Sequence, residues 1–319
     1  MFDRLQKNNF LVIGRAGLDL YADPPGTEVE NATAFSAALG GSAANIAVAI
    51  VRQGGNTALL SAVSSDAIGR YTLKALASFG VNTLFIKSVG GEARNSLAVV
   101  ETRPENCQSV IYRNDAADFH VTEADAENVD YSAFAAVIIT GTSLAKEPSR
   151  SATFKAMHLA RVARLSLIID IDYRPYSWAS KAEARQVCMQ ATEMCDIIVA
   201  NDEEFAVLAG SQSGLELAGQ LARQPGRVVV YKMGNKGCIT FANGNRYNTA
   251  IFAVTALKPT GAGDGFMGGF ISGLVAGAPL PDAVRRGAAT AAIVVTRVGC
   301  APAMPEAAEV LSFMQKTQS

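Results

Sequence analysis

The sequence predicts an α/β protein in which a mostly parallel central sheet carries helices on both faces and a small second β-sheet lies beside it. Short apolar runs alternate along most of the chain with longer segments of helical spacing, which is typical of a parallel sheet. Two segments, 18–39 and 94–114, lack that spacing, and we expect them to pair as antiparallel strands of the small sheet. The core is then predicted to comprise 1–17, 40–93 and 115–319.

The core elements follow one another in a regular order. We predict strands at 10–13, 57–63, 136–140, 166–170, 197–199 and 228–232, and helices at 43–53, 65–79, near 149–164 and near 181–194. Parallel strands place their C-terminal ends along one edge of the sheet, where α/β folds bind ligands. A small sheet above that edge would act as a lid over the substrate.

Composition excludes several classes of function. The net charge is -1 and 18% of residues are charged, without a long basic run, so we expect neither nucleic acid nor a membrane surface as a partner. The polar N-terminus predicts no signal peptide, and no apolar stretch is long enough to span a bilayer. Five cysteines without a C-x-x-C pair favour a cytoplasmic location. His120 and His158 lack zinc-site spacing.

The most informative motif is T-G-A-G-D at 260–264, which leads from a loop into an apolar helix. The free amides of Gly261, Ala262 and Gly263 can bind an anion, assisted by the helix dipole. Asp264 is poorly suited to binding that anion because like charges repel. It is better suited to accept a proton from an attacking hydroxyl, as in phosphoryl transfer. The alternative is a glycine-rich turn with Asp264 as an N-cap.

Other polar residues stand at strand ends and helix starts. They are Asp19, the G-G-x-x-x-N segment at 40–45 with Gly41 and Asn45, the D-x-D-x-R segment at 170–174 with Asp170 and Arg174, and Arg113 in the second extended segment. Carboxylate and amide groups can hold sugar hydroxyls, and two arginines can bind a carboxylate in a bidentate way. Ordinary turn chemistry and local salt bridges are the alternatives.

Two further segments suggest a nucleotide and a metal. Asn201 and Glu204 lie one helical turn apart and can hold a hydrated Mg²⁺ ion, or they can simply cap a helix. In the K-x-G-x-x-G segment at 232–237, Lys232 can contact a phosphate while Gly234 and Gly237 form a tight turn. A plain hairpin turn explains the same segment.

In this order, from Val12 to about Pro305, these motifs resemble the ribokinase-like (PfkB) family of sugar kinases. Within that family, the segments 14–21, 141–142, 170–175 and 298–302 look most like the subfamily that phosphorylates 5-dehydro-2-deoxygluconate in inositol catabolism. The D-Y-R-P-x-x-W pattern that ends at Trp178 is also similar to 2-keto-3-deoxygluconate kinases. A fructokinase or ribokinase type of sugar kinase and a non-catalytic sugar or nucleotide sensor are the remaining alternatives.

The resemblance implies ATP-dependent phosphorylation of a primary hydroxyl of a small keto sugar acid. It implies that Asp264 is the general base and that the 261–263 amides form the anion hole. Asp19, Gly41, Asn45, Asp170, Arg113 and Arg174 would bind the sugar acid, Asn201 and Glu204 would organise Mg²⁺ through water, and Lys232, Gly234 and Gly237 would line the ATP site. We also expect a homodimer formed through the lid.

One departure from the family pattern concerns monovalent cations. Many relatives have Asp-Thr where this chain has Lys258-Pro259. In those relatives the aspartate helps to build a monovalent-cation site, so the departure argues against activation by potassium here. The chain contains neither a P-loop sequence nor a G-x-G-x-x-G after its first strand, which excludes a P-loop kinase and a Rossmann dehydrogenase.

Overall fold

The structure is a computed structural model that describes residues 2–317. Its strands are β1 (Asn9–Ile13), β2 (Gly17–Asp23), β3 (Ala34–Gly40), β4 (Asn56–Ser64), β5 (Ile86–Val89), β6 (Leu97–Val100), β7 (Ser109–Tyr112), β8 (Ala136–Thr140), β9 (Ser166–Asp170), β10 (Ile197–Asn201), β11 (Val228–Lys232), β12 (Cys238–Ala242) and β13 (Asn245–Thr249). Its helices are α1 (Ser42–Arg52), α2 (Ala67–Ser78), α3 (Glu123–Glu127), α4 (Ser149–Val162), α5 (Lys181–Met194), α6 (Asp202–Ala209), α7 (Gly214–Leu221), α8 (Ala262–Val275), α9 (Leu280–Val295) and α10 (Ala307–Lys316). The predicted α/β class is confirmed, and the predicted core elements begin and end within two residues of the observed ones.

The large sheet has nine strands in the order β13-β12-β11-β10-β9-β8-β1-β4-β5. The strands from β5 to β11 run parallel, and β12 and β13 continue the sheet as antiparallel edge strands. The 232–237 turn therefore does join a hairpin, as one of its two interpretations expected. Alternate residues of the buried strands face opposite cores, so Leu11 packs on one side of the sheet and Val12 on the other.

The close approach of α1 to α8 fixes the geometry at the edge of this sheet. A Cβ atom at Gly268 would lie 2.3 Å from the Cβ of Ala49, so only a glycine allows the two helices to come this close. Their first turns, which carry Asn45 and Asp264, consequently lie beside each other.

The two extended segments form a four-stranded sheet in the order β3-β2-β6-β7. Its outer pairs are antiparallel, but β2 and β6 are parallel, which corrects the expectation that both segments pair in antiparallel fashion. The reason is that β3 and the core residues from 41 to 93 lie between the two strands in the chain and supply the long crossover that a parallel pair needs. That this small sheet moves as a lid over the substrate stays a prediction.

The domain prediction assigned residues 1 and 318–319 to the core, and these lie outside the described residues. Within residues 2–317, none of the helices combines the length and the apolar character that crossing a membrane requires.

Candidate active site

A cavity of about 360 Å³ lies between the core and the small sheet. Six residues selected from the sequence line it: Asp19, Gly41, Asn45, Arg174, Gly261 and Asp264. The small sheet contributes its inner face, on which Asp19, Ala98 and Ile111 are in register across β2, β6 and β7. The C-terminal edge of the large sheet and the small sheet thus enclose one polar site.

Asp264 stands in the first turn of α8 and is held by side chains from the first turn of α1. The Ser42 hydroxyl donates to its Oδ1 atom at 2.9 Å, and the Asn45 amide donates to its Oδ2 atom at 2.8 Å. The N-cap of α8 is Gly261, and it makes no side-chain capping bond. The carboxylate therefore faces α1 and the cavity instead of capping its own helix.

The surroundings of Asp264 favour its protonated form. Burial, followed by the negative charges of Asp172 and Asp170, raises the pKa of Asp264 to about 7, although the hydrogen bonds from Asn45 and Ser42 act in the opposite direction. A carboxylate with a pKa near neutrality can accept a proton from a hydroxyl and can later release it to water.

The loop before α8 is tightly constrained. Gly261 has a φ of 84°, and a Cβ atom there would lie 2.9 Å from the Cys300 Sγ atom. A Cβ atom on Gly263 would lie 3.4 Å from the Lys232 ammonium nitrogen. On the other side, the fully buried ammonium group of Lys258 donates to the Thr260 carbonyl. Two lysine ammonium groups thus flank a loop whose amides are suited to an anion.

Polar groups for hydroxyl recognition surround the rest of the cavity. Gly41 has a φ of 96°, and a Cβ atom there would lie 2.5 Å from the Arg15 carbonyl oxygen, so no larger residue fits. The Asn45 Oδ1 atom is buried and accepts no hydrogen bond from the described residues. Asp19 accepts a hydrogen bond from the Tyr21 hydroxyl at 3.1 Å, and burial raises its pKa. The open Asn45 oxygen and the Asp19 carboxylate are both acceptors, which match the hydroxyl donors of a sugar.

The D-x-D-x-R segment ends β9 with two buried acids that have different partners. Asp172 pairs with Arg174 at 2.6 Å, and although burial acts to raise its pKa, the charges of Arg174 and Arg15 lower it. Asp170 lies 3.6 Å from the Lys232 ammonium nitrogen and does not line the cavity. Burial raises the pKa of Asp170. The predicted contact between Asp170 and the substrate stays a prediction.

Asn201 and Glu204 form a capping box at the start of α6, which is the structural alternative that the sequence left open. The Glu204 oxygens accept hydrogen bonds from the Asn201 amide at 2.7 Å and the Tyr173 amide at 3.0 Å. Burial and the charge of Asp170 raise the pKa of Glu204 to about 7. Within residues 2–317, no group of three or more His, Cys, Asp or Glu side chains is arranged to hold a metal ion.

The K-x-G-x-x-G turn is fixed by its own backbone. Gly234 and Gly237 have φ values of 56° and 84°, and a Cβ atom on Gly237 would lie 2.2 Å from the Thr249 carbonyl oxygen. Gly237 is required for the turn whether or not a nucleotide binds, and the nucleotide contacts of both glycines stay a prediction. A larger cavity of about 500 Å³ nearby is lined by residues 248–253, α9 residues and Thr317, and by none of the predicted site residues.

Arg113 is placed differently from the other predicted site residues. Its guanidinium pairs with Asp118, donates to the Thr142 carbonyl at 3.1 Å and stacks 4.0 Å from the centre of the Phe119 ring. It does not line the cavity. The direct contact between Arg113 and a substrate carboxylate therefore stays a prediction that the described contacts do not support.

Sequence reasoning missed a different arginine. Arg15 lines the cavity, although the sequence pattern includes it only as part of the 14–21 segment. The signal was available, because Arg15 follows β1 by two residues and so stands at the same sheet edge as the other site residues.

The chain is similar to known proteins over nearly its whole length. The family described as pfkB family carbohydrate kinase matches residues 7–307. A 5-dehydro-2-deoxygluconokinase from Photobacterium profundum is 36% identical over 96% of this chain and 94% of the relative. One from Geobacillus kaustophilus is 33% identical over 99% of this chain and 96% of the relative. A solved fructokinase double mutant from Vibrio cholerae O395, described as bound to fructose, ADP and potassium ion, superposes with a TM-score of 0.84 at 26% identity over 96% of this chain and 97% of that one.

The raised pKa of Asp264 predicts a pH-dependent stability. Between the ordinary pKa of 3.8 and the folded value of about 7, the native state binds more protons than the unfolded state, so ionisation of Asp264 lowers stability as the pH rises through this window. Asp264→Asn should be as stable as the wild type near pH 4 and more stable by about 1–3 kcal/mol at pH 8. Urea unfolding at both pH values measures this difference.

Asp130→Asn is the matched control, because hydrogen bonds from Ser132 lower the pKa of this exposed carboxylate. Its replacement should remove stability above pH 4 instead of adding it. A stability gain of Asp264→Asn that is independent of pH would contradict the raised pKa.

Proposed function

The chain belongs to the pfkB family of carbohydrate kinases, and we propose that it transfers the γ-phosphoryl group of ATP to a primary hydroxyl of 5-dehydro-2-deoxygluconate. One cavity carries this proposal. It is lined by both Asp264, whose pKa is near 7, and Arg174, and Asp264 directly follows the 261–263 loop whose amides can bind an anion. The two 5-dehydro-2-deoxygluconokinases described above support the choice of substrate. 2-Keto-3-deoxygluconate and the neutral sugars fructose and ribose are the alternative substrates.

The proposed mechanism begins with a substrate hydroxyl beside Asp264. The carboxylate takes the hydroxyl proton while the oxygen attacks the γ-phosphorus in line with the leaving ADP oxygen. Ser42 and Asn45 hold the Asp264 carboxylate in one orientation, so the carboxylate does not need to reorient before it accepts the hydroxyl proton. The amides of Gly261, Ala262 and Gly263 stabilise the negative charge on the transferred group.

Substrate hydroxyls and carboxylate are recognised by different parts of the cavity. We assign the hydroxyls to Asp19, the Gly41 backbone and the open Oδ1 atom of Asn45. Arg174 is 40% exposed and donates to Asp172 at 2.6 Å, which leaves part of its guanidinium free for a substrate carboxylate. Excluding water from this cavity prevents water from acting as the phosphoryl acceptor.

The nucleotide site is proposed to lie beside Lys232, Gly234 and Gly237, with Mg²⁺ near Asn201 and Glu204. The donor set fits this ion through water, because each Glu204 oxygen accepts one backbone hydrogen bond and keeps a second lone pair that can accept from a metal-bound water. When bound, the ion would neutralise phosphate charge. Lys232, which is within 3.6 Å of Asp170, is held next to Gly263 to meet the same phosphates.

We propose that Lys258 makes the kinase independent of monovalent cations. Its side chain is fully buried, and although burial lowers the pKa of Lys258, the ammonium group donates to the Thr260 carbonyl and so places a tethered cation behind the 261–263 loop. Turnover should therefore change little when potassium is replaced by sodium at constant ionic strength. Turnover can be measured as ADP release in a coupled assay, and a strong stimulation by potassium would contradict this assignment.

The small sheet is also the surface that we propose for dimer formation. Its outer face exposes apolar side chains on both edge strands, with Phe35 42%, Val110 46% and Tyr112 57% exposed. Val110→Lys should convert a dimer into a monomer in sedimentation velocity, whereas Val162→Lys, at a 69% exposed position on α4, should not. A wild-type monomer at micromolar concentration would exclude this dimer.

The proposed function is tested by ADP release with MgATP and four acceptors: 5-dehydro-2-deoxygluconate, 2-keto-3-deoxygluconate, fructose and ribose. The wild type should prefer the first keto acid.

Asp264→Asn should bind substrates normally but lower kcat by about 10²–10⁴-fold, because general-base catalysis supplies a factor of that size. Asp130→Asn should leave kcat unchanged. Near-normal turnover of Asp264→Asn would exclude Asp264 as the base, and a preference for fructose or ribose would overturn the assignment of an acidic substrate.

A further inference from the structure

Arg15 is a buried arginine without a charged partner. Only 6% of its surface is exposed, and it lines the cavity together with Arg174. Its Nη1 atom donates to the Ser96 hydroxyl at 3.3 Å, just before β6 of the small sheet. Among residues 2–317, no carboxylate lies within ion-pair distance of this guanidinium, whereas Arg113 and Arg174 are both ion-paired.

Burying a guanidinium in this way is unfavourable unless something compensates the charge. A guanidinium carries five N–H donors, and the described residues accept a hydrogen bond from Nη1 alone. The charge of Arg15 lowers the pKa of Asp19 against the stronger effect of burial, and with Arg174 it lowers the pKa of Asp172. These acids are therefore near, but they do not pair with Arg15. An anion inside the cavity would complete its hydrogen bonding.

We propose that Arg15, together with Arg174, binds the carboxylate of the sugar-acid substrate and so determines its specificity. The inference rests on the proposed function and names the second guanidinium that this function requires. Arg15 supplies a buried guanidinium group, and Arg174, which follows β9, supplies a more exposed one. Arg113 then has a structural role, in which it joins Asp118, Thr142 and Ser177.

The hydrogen bond to Ser96 gives this arrangement a second property. Arg15 belongs to the core, and Ser96 precedes a strand of the small sheet, so the guanidinium bridges the two parts that enclose the cavity. The bond to Ser96 orients the Arg15 guanidinium group toward the proposed substrate position. Ser96→Ala should therefore weaken binding of the acid without affecting a neutral ligand.

The test compares 5-dehydro-2-deoxygluconate with its neutral carboxamide, which keeps every hydroxyl. Arg15→Met should raise KM for the acid by about 10–100-fold, since a hydrogen bond to a charged group contributes this factor, and should change KM for the amide little. The value of kcat at saturating acid should fall less than kcat/KM. Free guanidinium ion should restore acid binding to Arg15→Ala. Arg113→Met is the matched control, and it should not distinguish the acid from the amide.

The outcomes separate this inference from the proposed function. A wild type that prefers neutral sugars would overturn the acidic substrate and, with it, the role of Arg15. A wild type that prefers the keto acid while Arg15→Met raises KM equally for acid and amide would overturn Arg15 alone. Should Arg15→Met fail to fold, Ser96→Ala and Arg15→Lys provide the same acid-to-amide comparison, and an unchanged ratio in both would contradict the assignment.

Discussion

The site depends on the close packing of α1 against α8. Gly268 has no side chain, and a Cβ atom added to it would lie only 2.3 Å from the Cβ atom of Ala49, so the two helices can approach this closely only at a glycine. The two helix N-termini then meet at one edge of the sheet, and Ser42 and Asn45 reach the carboxylate of Asp264. A reaction that needs one base in one orientation is thereby built on rigid elements. The same approach directs two positive helix ends toward the cavity.

This arrangement creates an electrostatic cost that the neighbouring residues reduce. Asp264 is crowded by the charges of Asp170 and Asp172, which raise its pKa after burial has done so. Lys232 lies 3.6 Å from Asp170 and Arg174 pairs with Asp172; the pKa of Asp172 is lowered, whereas burial still raises the pKa of Asp170. The environment therefore gives neighbouring carboxylates different proton affinities, since the pKa of Asp264 is raised to about 7 and that of Asp172 is lowered, as pKa tuning in active sites generally does.

The fold was predictable because periodic apolar runs specify strands and helices locally. The parallel pairing of β2 with β6 was not, since register and direction depend on a crossover that sequence spacing does not reveal. Asp264 could be selected as a candidate base because the proposed role follows from its neighbours in the same loop. Arg113 was selected and Arg15 was missed, because only the folded chain shows that Arg113 pairs with Asp118 and that Arg15 lines the cavity. The sequence offered the capping box of Asn201 and Glu204 only as an alternative to magnesium binding, because both roles use the same oxygen atoms at the same spacing.

The central claim is that Asp264 and the guanidinium groups bind opposite ends of one sugar acid. The most direct measurement is the position of the transferred phosphate, determined by phosphorus–proton correlation NMR of the product formed from 5-dehydro-2-deoxygluconate and ATP. The account predicts a phosphate coupled to a CH₂ group, at the primary hydroxyl farthest from the carboxylate. A phosphate on a secondary hydroxyl, or no phosphorylated acid at all, would contradict it.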